Sequence, residues 1–316
     1  MSAELFLSLI AREPMLMTLD GAVSFAARLR CDVPRDQKPS RNFLGDTVPQ
    51  MRIENGTAFI PVVGPMIKNA GFLLKGFGAV AHEDIASNLD EAASSASVSR
   101  IALMIDSPGG TVSGTPELAD KTASVDAKKP VYAFTDSLAA SAAFWIASGA
   151  RGIYATKSAR VGSIGALLEV TNFSEALRAR GIAVEVFATG PLKAAGHPAR
   201  PMTDEARQYF QAQVDSIGQA FKSFVAERRR GANQGSMTGA VFFAPEAKAR
   251  GLIDAIVPSA NAMLAEFRTD AARPDFQSLL KRELRAGKSK GEAILAVAES
   301  HPEAHLEYVR SGGGPL

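Results

Sequence analysis

The chain has 316 residues, of which 46% are hydrophobic and 22% charged, and its formal net charge at pH 7 is +2. This length suits one large domain with appendages or two domains, and the hydrophobic fraction is sufficient for a substantial core. A net charge so close to zero gives no reason to expect nucleic acid or a membrane surface as a partner. The single cysteine, Cys31, excludes an internal disulfide and fits a reducing cytoplasm. No metal-ligand spacing occurs, so we expect neither a metal nor a cofactor.

The sequence also contains no segment that predicts a membrane span or a secretory signal. Its longest apolar stretches are short and are interrupted by Gly, Pro or charged residues. The first residues lack a basic region, and Glu4, Arg12 and Glu13 interrupt their apolar pattern. We therefore expect a soluble cytoplasmic protein without a membrane anchor.

In chain order, the pattern of elements divides the chain into three parts. Residues 1–50 are predicted to form an N-terminal arm, with a short helix at Asp20–Arg30 and a polar, proline-containing linker at 33–40. Residues 51–258 alternate predicted strands with predicted helices, which indicates an α/β fold. Residues 259–316 are predicted to form a helical extension that ends in a flexible tail.

Apolar runs and apolar periodicity give the individual elements. Continuous apolar runs predict buried strands, and apolar residues at helical spacing, such as Ile85 and Leu89, predict helices. Thr203 is the predicted N-cap of the longest helix. The basic run 228–230 is interpreted as the solvated end of that helix, where cations complement the helix dipole. The predicted strands are 57–63, 100–106, 131–134 and 182–187, and the predicted helices are 82–97, 115–124, 203–230, 276–285 and 292–300.

Ser141 and Lys193 are the residues that point most directly to chemistry. Ser141 follows the strand-like run 131–134 and begins a predicted helix, where flanking alanines leave its hydroxyl uncrowded. Lys193 lies in a loop of small residues, where burial would disfavour the charged ammonium. Together they have the ingredients of a Ser/Lys nucleophilic dyad. Each alone has an ordinary interpretation, because a serine at a helix start is usually an N-cap and a loop lysine is usually solvated.

A third feature is a sharp turn after the apolar run 101–105. Residues 106–114 are Asp-Ser-Pro-Gly-Gly-Thr-Val-Ser-Gly, and a Pro-Gly-Gly turn leaves bare backbone N–H groups that can approach a ligand closely. Such groups can form an oxyanion hole. By itself, the turn is equally consistent with an ordinary strand-to-helix connection.

The order and spacing of these motifs resemble the signal peptide peptidase A family of serine proteases. The resemblance runs from Asn55 to Val257 and includes Gly-Ser-Ile-Gly at 162–165 and Gly-Leu-Ile-Asp at 251–254. It implies the Clp-protease/crotonase-like fold of stacked ββα units, with helical N- and C-terminal appendages. The chain departs from the family at 142–143, where two alanines replace the Gly-Gly of many relatives. This change keeps the backbone N–H donor and is expected to narrow the pocket.

Carried over residue by residue, the resemblance implies specific roles. Ser141 would be the nucleophile and Lys193 the general base. The backbone N–H groups of Gly110 and Ala142 would form the oxyanion hole, and Ser163 would orient the lysine. The residues expected to contact the substrate are Gly109, Thr111, Gly162, Ile164 and Gly165.

A histidine-based triad is the alternative for the catalytic base. The related Clp proteases carry their histidine after the serine, but the corresponding stretch 161–168 contains none. His82 is interpreted as an exposed helix start and His197 as part of a solvated loop, and neither has an obvious acidic partner. The sequence therefore favours a Ser/Lys dyad.

The preferred hypothesis is a serine endopeptidase of a tailed-phage head-assembly module, cutting scaffold, portal or capsid proteins or itself. It rests on the missing anchor and on the stretch 13–17, Glu-Pro-Met-Leu-Met, which resembles the leader of lambda-type capsid assembly proteases. Such an enzyme would act in the host cytoplasm, inside the immature head. The single peptidase copy implies, by the same resemblance, a homo-oligomeric ring in which one subunit's lysine reaches its neighbour's serine. Whether the dyad forms within or between chains stays open.

Three alternatives remain at this point. A cytoplasmic bacterial peptidase that degrades signal peptides or other proteins belongs to the same class. The fold could also serve a crotonase-like acyl-CoA enzyme, although Ser141 and Lys193 would be unnecessary there and no carboxylate is placed for proton abstraction. The third is a catalytically inactive scaffold component. The 259–316 extension would contact scaffold, be self-cleaved or support oligomerisation.

Overall fold

The structure, a computed structural model, describes residues 15–17, 50–271, 276–301, 304, 305 and 308. The chain divides into two compact units, Met1–Ser259 and Ala260–Leu316. In the described residues the strands are β1 (Met15–Met17), β2 (Arg52–Glu54), β3 (Thr57–Val63), β4 (Met66–Ile67), β5 (Val80–Ala81), β6 (Arg100–Asp106), β7 (Gly109–Thr111), β8 (Val131–Thr135), β9 (Leu138–Ala140), β10 (Gly152–Ala155), β11 (Arg160–Gly162), β12 (Val241–Phe243) and β13 (Ala255–Ile256). The helices are α1 (Phe72–Gly76), α2 (His82–Ser94), α3 (Thr115–Asp126), α4 (Ala142–Ser148), α5 (Ser174–Ala179), α6 (Asp204–Arg228), α7 (Ala244–Ala249), α8 (Ala260–Ala271), α9 (Phe276–Arg285) and α10 (Lys290–Ser300), with 3₁₀ turns at Pro191–Ala194 and Gln234–Ser236.

The main sheet has six strands in the order β13-β10-β8-β6-β3-β2. Its pairs are parallel, except for the antiparallel pair of β2 and β3. β3 and β6 pair along their whole length, from Thr57 opposite Arg100 to Val63 opposite Asp106. Both are near-continuous apolar runs, which is the pattern expected of parallel strands that are covered on both faces.

The smaller sheets are formed by strands that follow the main-sheet strands in the chain. β6 is followed by β7 and α3, and β8 is followed by β9 and α4. In each case the first strand joins the main sheet, whereas the second joins a smaller sheet, β1-β7-β4-β5 or β12-β11-β9. This repeat of two strands and a helix is the stacked ββα arrangement predicted from the sequence, and the α/β class is confirmed.

The core of the first unit includes α4, all of whose residues are buried. Trp145 of α4 stacks on Phe221 of α6, with a ring-centroid distance of 4.4 Å and an interplanar angle of 2°. Phe224, about one turn further along α6, also lies against the indole ring. A helix buried on every face is held by packing on all sides. The residue at its start, Ser141, is therefore positioned by the core.

The interpretation of the 228–230 run as a solvated helix end is wrong for Arg229. Its side chain is 6% exposed, and its Nη2 donates to Asp254 Oδ2 over 2.6 Å. The same carboxylate oxygen accepts the Ile153 N–H over 2.7 Å. The sequence pattern could not show this ion pair, because Asp254 reaches the end of α6 only through the turn at Gly251, where φ is +73°. The pair ties the end of α6 to β10.

Two further expectations have different outcomes. Residues 182–187 alternate as a strand would, but the structure forms no strand there, and Phe187 is 92% exposed. A strand needs a neighbour to pair with, and none of the strands between residues 50 and 271 pairs with this segment. The predicted helix Asp20–Arg30 lies outside the described residues.

In its described residues, the Ala260–Leu316 unit is mainly helical. α9 and α10 share a small apolar core that consists of Phe276, Leu279, Leu280, Ala293 and Val297. A capping box formed by Ser289 and Glu292 begins α10. The predicted helices 276–285 and 292–300 are confirmed, the second of them beginning at Lys290.

Three expectations concern the chain as a whole. The division into arm, peptidase domain and extension stays a prediction, because residues 1–50 lie almost entirely outside the described part. No helix among the described residues combines the length and the apolar character needed to cross a bilayer. The same residues contain no group of three or more His, Cys, Asp or Glu side chains placed to hold a metal ion.

Candidate active site

Ser141 lies on a sharp turn between β9 and α4. Its backbone has φ 55° and ψ −120°, in a region that residues other than glycine rarely occupy. In the described residues, the non-glycine positions with positive φ are Asn55, Asn69, Ser141 and Ser163. Asparagine tolerates such angles, whereas a serine held there costs about 1–3 kcal/mol and persists where the surrounding structure enforces it, often at active sites. Backbone strain therefore singles out two of the predicted site residues.

The turn that carries Ser141 is tied to the strand that leads into Ser163. The Ser141 N–H donates to the Gly162 carbonyl over 2.8 Å, and the Ser163 N–H donates to the Ala240 carbonyl over 2.7 Å. Gly162 has φ +119°, and a Cβ at this position would lie 2.7 Å from the Ala240 carbonyl oxygen. The position therefore requires glycine. The fold therefore brings together Ser141, Gly162 and Ser163, which are three residues of the predicted site.

β7 is held beside the turn that carries Ser141 by hydrogen bonds of Ser107. The Ser107 N–H donates to the Leu138 carbonyl over 2.8 Å, and the Ser107 carbonyl accepts the Ala140 N–H over 3.1 Å. The Ser107 hydroxyl oxygen accepts the Gly109 N–H over 3.2 Å. Ser107 is fully buried, so water does not compete for these bonds. They hold the Gly-Gly strand beside the turn that presents Ser141.

The two predicted oxyanion-hole donors, the N–H groups of Gly110 and Ala142, belong to β7 and to the first residue of α4. A Cβ at Gly110 would lie 1.7 Å from the Met66 carbonyl oxygen, so only glycine lets β7 run this close to β4. Ala142 is the first residue of α4, where a backbone N–H has no partner within the helix. β7 and α4 are in contact. Their joint action on a substrate carbonyl stays a prediction.

Other residues predicted to contact substrate have structural partners of their own. The buried Thr111 hydroxyl accepts the Lys68 N–H and donates to the Ser113 carbonyl, each over 3.3 Å. Ile164 is fully buried in the main core, which leaves its backbone rather than its side chain for a ligand. Gly165 lies in the wall of a cavity. Substrate contact by these residues stays a prediction.

This cavity, of about 480 Å³, lies between residues 163–167 and α6. Its walls include Ser163 and two charged residues of α6, Asp215 and Lys222, whereas Ser141 is not among its lining residues. Lys222 is an exposed cation that the sequence analysis did not single out. A lysine on the polar face of a long helix carries no pattern that distinguishes it from a solvated charge.

No hydrogen bond joins Lys193 to Ser141 in the single chain. Lys193 lies in the 3₁₀ turn Pro191–Ala194 and is exposed. Among the residues that the structure describes, its side chain forms no hydrogen bond or ion pair. Ser141 is 1% exposed. The predicted dyad is therefore not closed within one chain and stays a prediction.

His82, interpreted from the sequence as an exposed helix start, is buried, with 4% of its surface exposed. Its Nε2 lies 3.1 Å from Thr115 Oγ1, and the Thr115 hydroxyl donates to the Thr111 carbonyl over 2.8 Å. Because that hydroxyl proton is already donated, Nε2–H must be the donor to Thr115. Nδ1 is then unprotonated, and it has no partner among the described residues.

The buried imidazole links α2 to α3 and β7 in its neutral form. Burial is the main cause that lowers the pKa of His82 to about 4. No local pattern indicated this burial, because the acidic neighbours Glu83 and Asp84 suggest an exposed turn and Thr115 lies 33 positions away. His82 therefore has a structural role, since through Thr115 it helps to hold β7 in place.

Comparison with known proteins gives the family. The model of peptidase family S49 matches residues 123–271, a range that includes Ser141, Ser163 and Lys193. The putative protease slr0021 of Synechocystis sp. is 31% identical over 222 residues, which are 66% of this chain and 80% of that protein. The chain belongs to peptidase family S49. The family resemblance predicted from the sequence is confirmed.

A phage protein is also similar to the chain. Capsid assembly protease C of Escherichia phage lambda is 32% identical over 214 residues, which are 67% of this chain and 49% of the phage protein. The chain thus spans about half the length of that relative. Membership of a peptidase family favours a protease over the acyl-CoA alternative.

Among solved structures, a ClpP1 point mutant from Listeria monocytogenes overlaps with a TM-score of 0.42 at 14% identity. The overlap covers 65% of this chain and 94% of that one. A TM-score this low carries no argument about activity, and the fold assignment rests on the strand order described above.

Proposed function

We propose that the chain is a serine endopeptidase that uses Ser141 as its nucleophile and Lys193 as its general base. The observation that carries this proposal is the strained backbone of Ser141, with φ 55° and ψ −120°, inside the range that matches the peptidase family. A strained strand-to-helix turn presents a serine hydroxyl clear of the neighbouring backbone, so that it can attack a carbonyl. The bond from Ser141 N–H to Gly162 keeps the turn in this conformation.

In the proposed reaction, the neutral amine of Lys193 removes the hydroxyl proton while Ser141 Oγ attacks the carbonyl carbon of the scissile bond. The negative oxygen that forms would accept hydrogen bonds from the N–H groups of Gly110 and Ala142. The C–N bond then breaks, and the lysine gives its proton to the leaving amine. Water, deprotonated by the same amine, hydrolyses the acyl-enzyme and restores the serine. The Ser163 hydroxyl would orient the amine.

The exposed position of Lys193 supports a dyad that is completed by a second copy of the chain. A lysine acts as a base only when it is neutral, and an exposed ammonium keeps its proton unless a partner shields it from water. The apolar segment 182–187, which precedes the lysine turn, is unpaired, and its Phe187 is 92% exposed. In such an assembly, the turn Pro191–Ala194 of one copy would contact the Ser141 turn of the next copy. A contact of this kind is heterologous, and a closed set of such contacts forms a ring.

The proposed substrates are protein components of a phage head. The name of the lambda relative, capsid assembly protease C, supports this choice over a general peptidase. Scaffold, portal or capsid proteins, or the chain itself, would be cut inside the immature head in the host cytoplasm. The putative protease slr0021 of Synechocystis sp. supports the alternative of a bacterial peptidase. Portal and capsid genes beside this one would decide for the phage.

Fluorophosphonate labelling and casein hydrolysis, measured on matched variants, test the dyad. Ser141→Ala is expected to lose labelling and to lower hydrolysis by at least about 10⁴-fold. The control Ser137→Ala, at an exposed serine between β8 and β9, should keep both. Comparable turnover by Ser141→Ala and the parent would remove Ser141 as the nucleophile.

The lysine is tested by two arginine variants. Lys193→Arg should be inactive, because a guanidinium does not give up its proton. Lys222→Arg changes a cation that lines the same cavity as Ser163, and it should stay active. Activity of the parent should rise with pH to an alkaline plateau. An active Lys193→Arg enzyme, or loss of activity in Lys222→Arg alone, would reject Lys193 as the base.

A further inference from the structure

The outer edge of β7 is covered by a strand of the same chain. β1 runs antiparallel to β7, with Leu16 opposite Gly110 and one residue paired on either side. On its other edge, β7 pairs in parallel with β4 through Met66. That second edge is closely packed, because a Cβ at Gly110 would lie 1.7 Å from the Met66 carbonyl oxygen. The edge under β1 is therefore the one that can be opened.

This edge belongs to the proposed active site. Gly110 is a proposed oxyanion donor, and the bonds of Ser107 hold β7 beside Ser141. An endopeptidase takes its substrate as an extended chain, with the scissile carbonyl next to the nucleophile. A strand edge binds an extended chain through backbone hydrogen bonds. A substrate strand would need the edge that β1 covers.

We propose that Met15–Met17 occupies the peptide-binding edge of β7 as a substrate strand would, and that it must leave before a substrate can pair there. This proposal rests on the proposed function, since it describes how that site is blocked. The antiparallel register of β1 also gives the direction of a bound substrate, which would run opposite to β7. Recognition through the backbone would accept many sequences at this edge.

The strand is short enough to be displaced. β1 has three residues, so it forms few ladder bonds. It belongs to the same chain as β7, so it competes for the edge at a high effective concentration rather than at that of a free peptide. Dilute peptides cannot compete with such an occupant, whereas a substrate concentrated in an assembling shell can. The device would confine cleavage to places where substrate is crowded.

The variant Leu16→Pro tests the pairing, because proline has no N–H to donate and is excluded from the interior of a paired strand. Hydrogen exchange of the Gly109–Thr111 amides should become faster in the variant. Hydrolysis of casein at low substrate concentration should rise about tenfold, since a lost ladder bond frees the edge. The control Leu16→Ala keeps the backbone N–H at the same position, and it should change neither quantity.

A synthetic peptide of residues 13–19 gives a second test that needs no variant. Added to the parent at a millimolar concentration, high enough to compete with the tethered strand, it should inhibit hydrolysis, and added to Leu16→Pro it should restore the lower rate. The same peptide with Leu16→Pro should inhibit more weakly, because it lacks the backbone N–H at the central paired position. Inhibition of the parent by the 13–19 peptide decides the matter if Leu16→Pro does not fold.

The outcomes separate this proposal from the function on which it rests. Equal hydrolysis by the parent and a folded Leu16→Pro, or unchanged exchange at 109–111, would overturn the self-blocking strand while leaving the peptidase in place. Failure of the 13–19 peptide to inhibit would do the same. Absence of fluorophosphonate labelling in the parent and in every variant would reject the proposed function, and this proposal with it.

Discussion

The two halves of the proposed dyad lie in opposite surroundings. Ser141 is 1% exposed and begins a helix that is buried on every face. Lys193 lies in the segment 165–203, in which no residue is buried. A strained backbone persists only where a rigid core enforces it, so the nucleophile has to be built into the ββα core. A general base can instead arrive on a loop that another copy of the chain orders.

Mixing two inactive variants gives the largest effect expected from this difference. Ser141→Ala and Lys193→Ala should each be inactive. When they are refolded together in equal amounts, about a quarter of the sites in a ring would combine an intact serine with a neighbour's intact lysine. Casein hydrolysis by the mixture, compared with each variant alone, measures the recovery.

The control for this experiment pairs Ser141→Ala with the Ser141→Ala/Lys193→Ala double variant, which has no intact serine and should stay inactive. Sedimentation shows whether the mixed chains associate. A mixture that stays inactive, together with a parent monomer that cleaves when diluted, would place both halves of the dyad in one chain.

The core around Ser141 was predictable from the sequence, because the patterns that indicate its strands and turns are local. The strands 57–63 and 100–106 coincide with β3 and β6, since a continuous apolar run of that length is typical of a buried parallel strand. The site residues Ser141 and Gly162 were predicted from motifs that follow strands, because the loops at the ends of parallel strands lie close together. Local sequence and fold agree there.

Contacts between distant residues were not predictable in the same way. The ion pair of Arg229 joins residues 25 positions apart, and the bond of His82 to Thr115 joins residues 33 apart. Neither partner carries a periodic pattern that reveals the other. The pairing of β1 with β7 is hidden for another reason, because three residues are too few for a strand pattern. In the proposed dyad, Lys193 would depend on a contact with a second copy of the chain, which the sequence of one chain does not reveal.

Lowering the pH tests how much the neutral His82 contributes to the stability of the core that holds Ser141. Between pH 6.5 and about 4, the unfolded chain takes up a proton that native His82, with its pKa lowered to about 4, does not. The stability contributed by the neutral imidazole is therefore fully present above pH 6.5 and is lost as the pH falls to about 4, by at most about 3 kcal/mol. Burial outweighs the nearby Glu83 and Glu117, which favour the charged form, while Lys68 opposes it.

Urea unfolding of the parent and His82→Asn across this pH range measures the effect. The variant should show a flatter dependence of the unfolding free energy on pH. Thr115→Val is the matched control, because it removes the hydroxyl but leaves the imidazole buried, and its slope should follow the parent. An equally steep slope in His82→Asn would assign the acid sensitivity to other groups.

The smallest expected effect concerns the strain at Ser141 itself. Ser141→Gly and Ser141→Ala should both be inactive, yet they should differ in stability. Glycine adopts φ 55° freely, whereas alanine keeps the strain, so the glycine variant should be more stable by about 1 kcal/mol after its greater entropy in the unfolded chain is subtracted. Ser87, an exposed residue in the interior of α2, supplies the control. There the order should reverse, with alanine the more stable by about 1 kcal/mol, because glycine is unfavourable in a helix interior. Urea unfolding of the four variants measures both differences, and a more stable alanine at both positions would show that the turn at Ser141 holds no strain for the core to enforce.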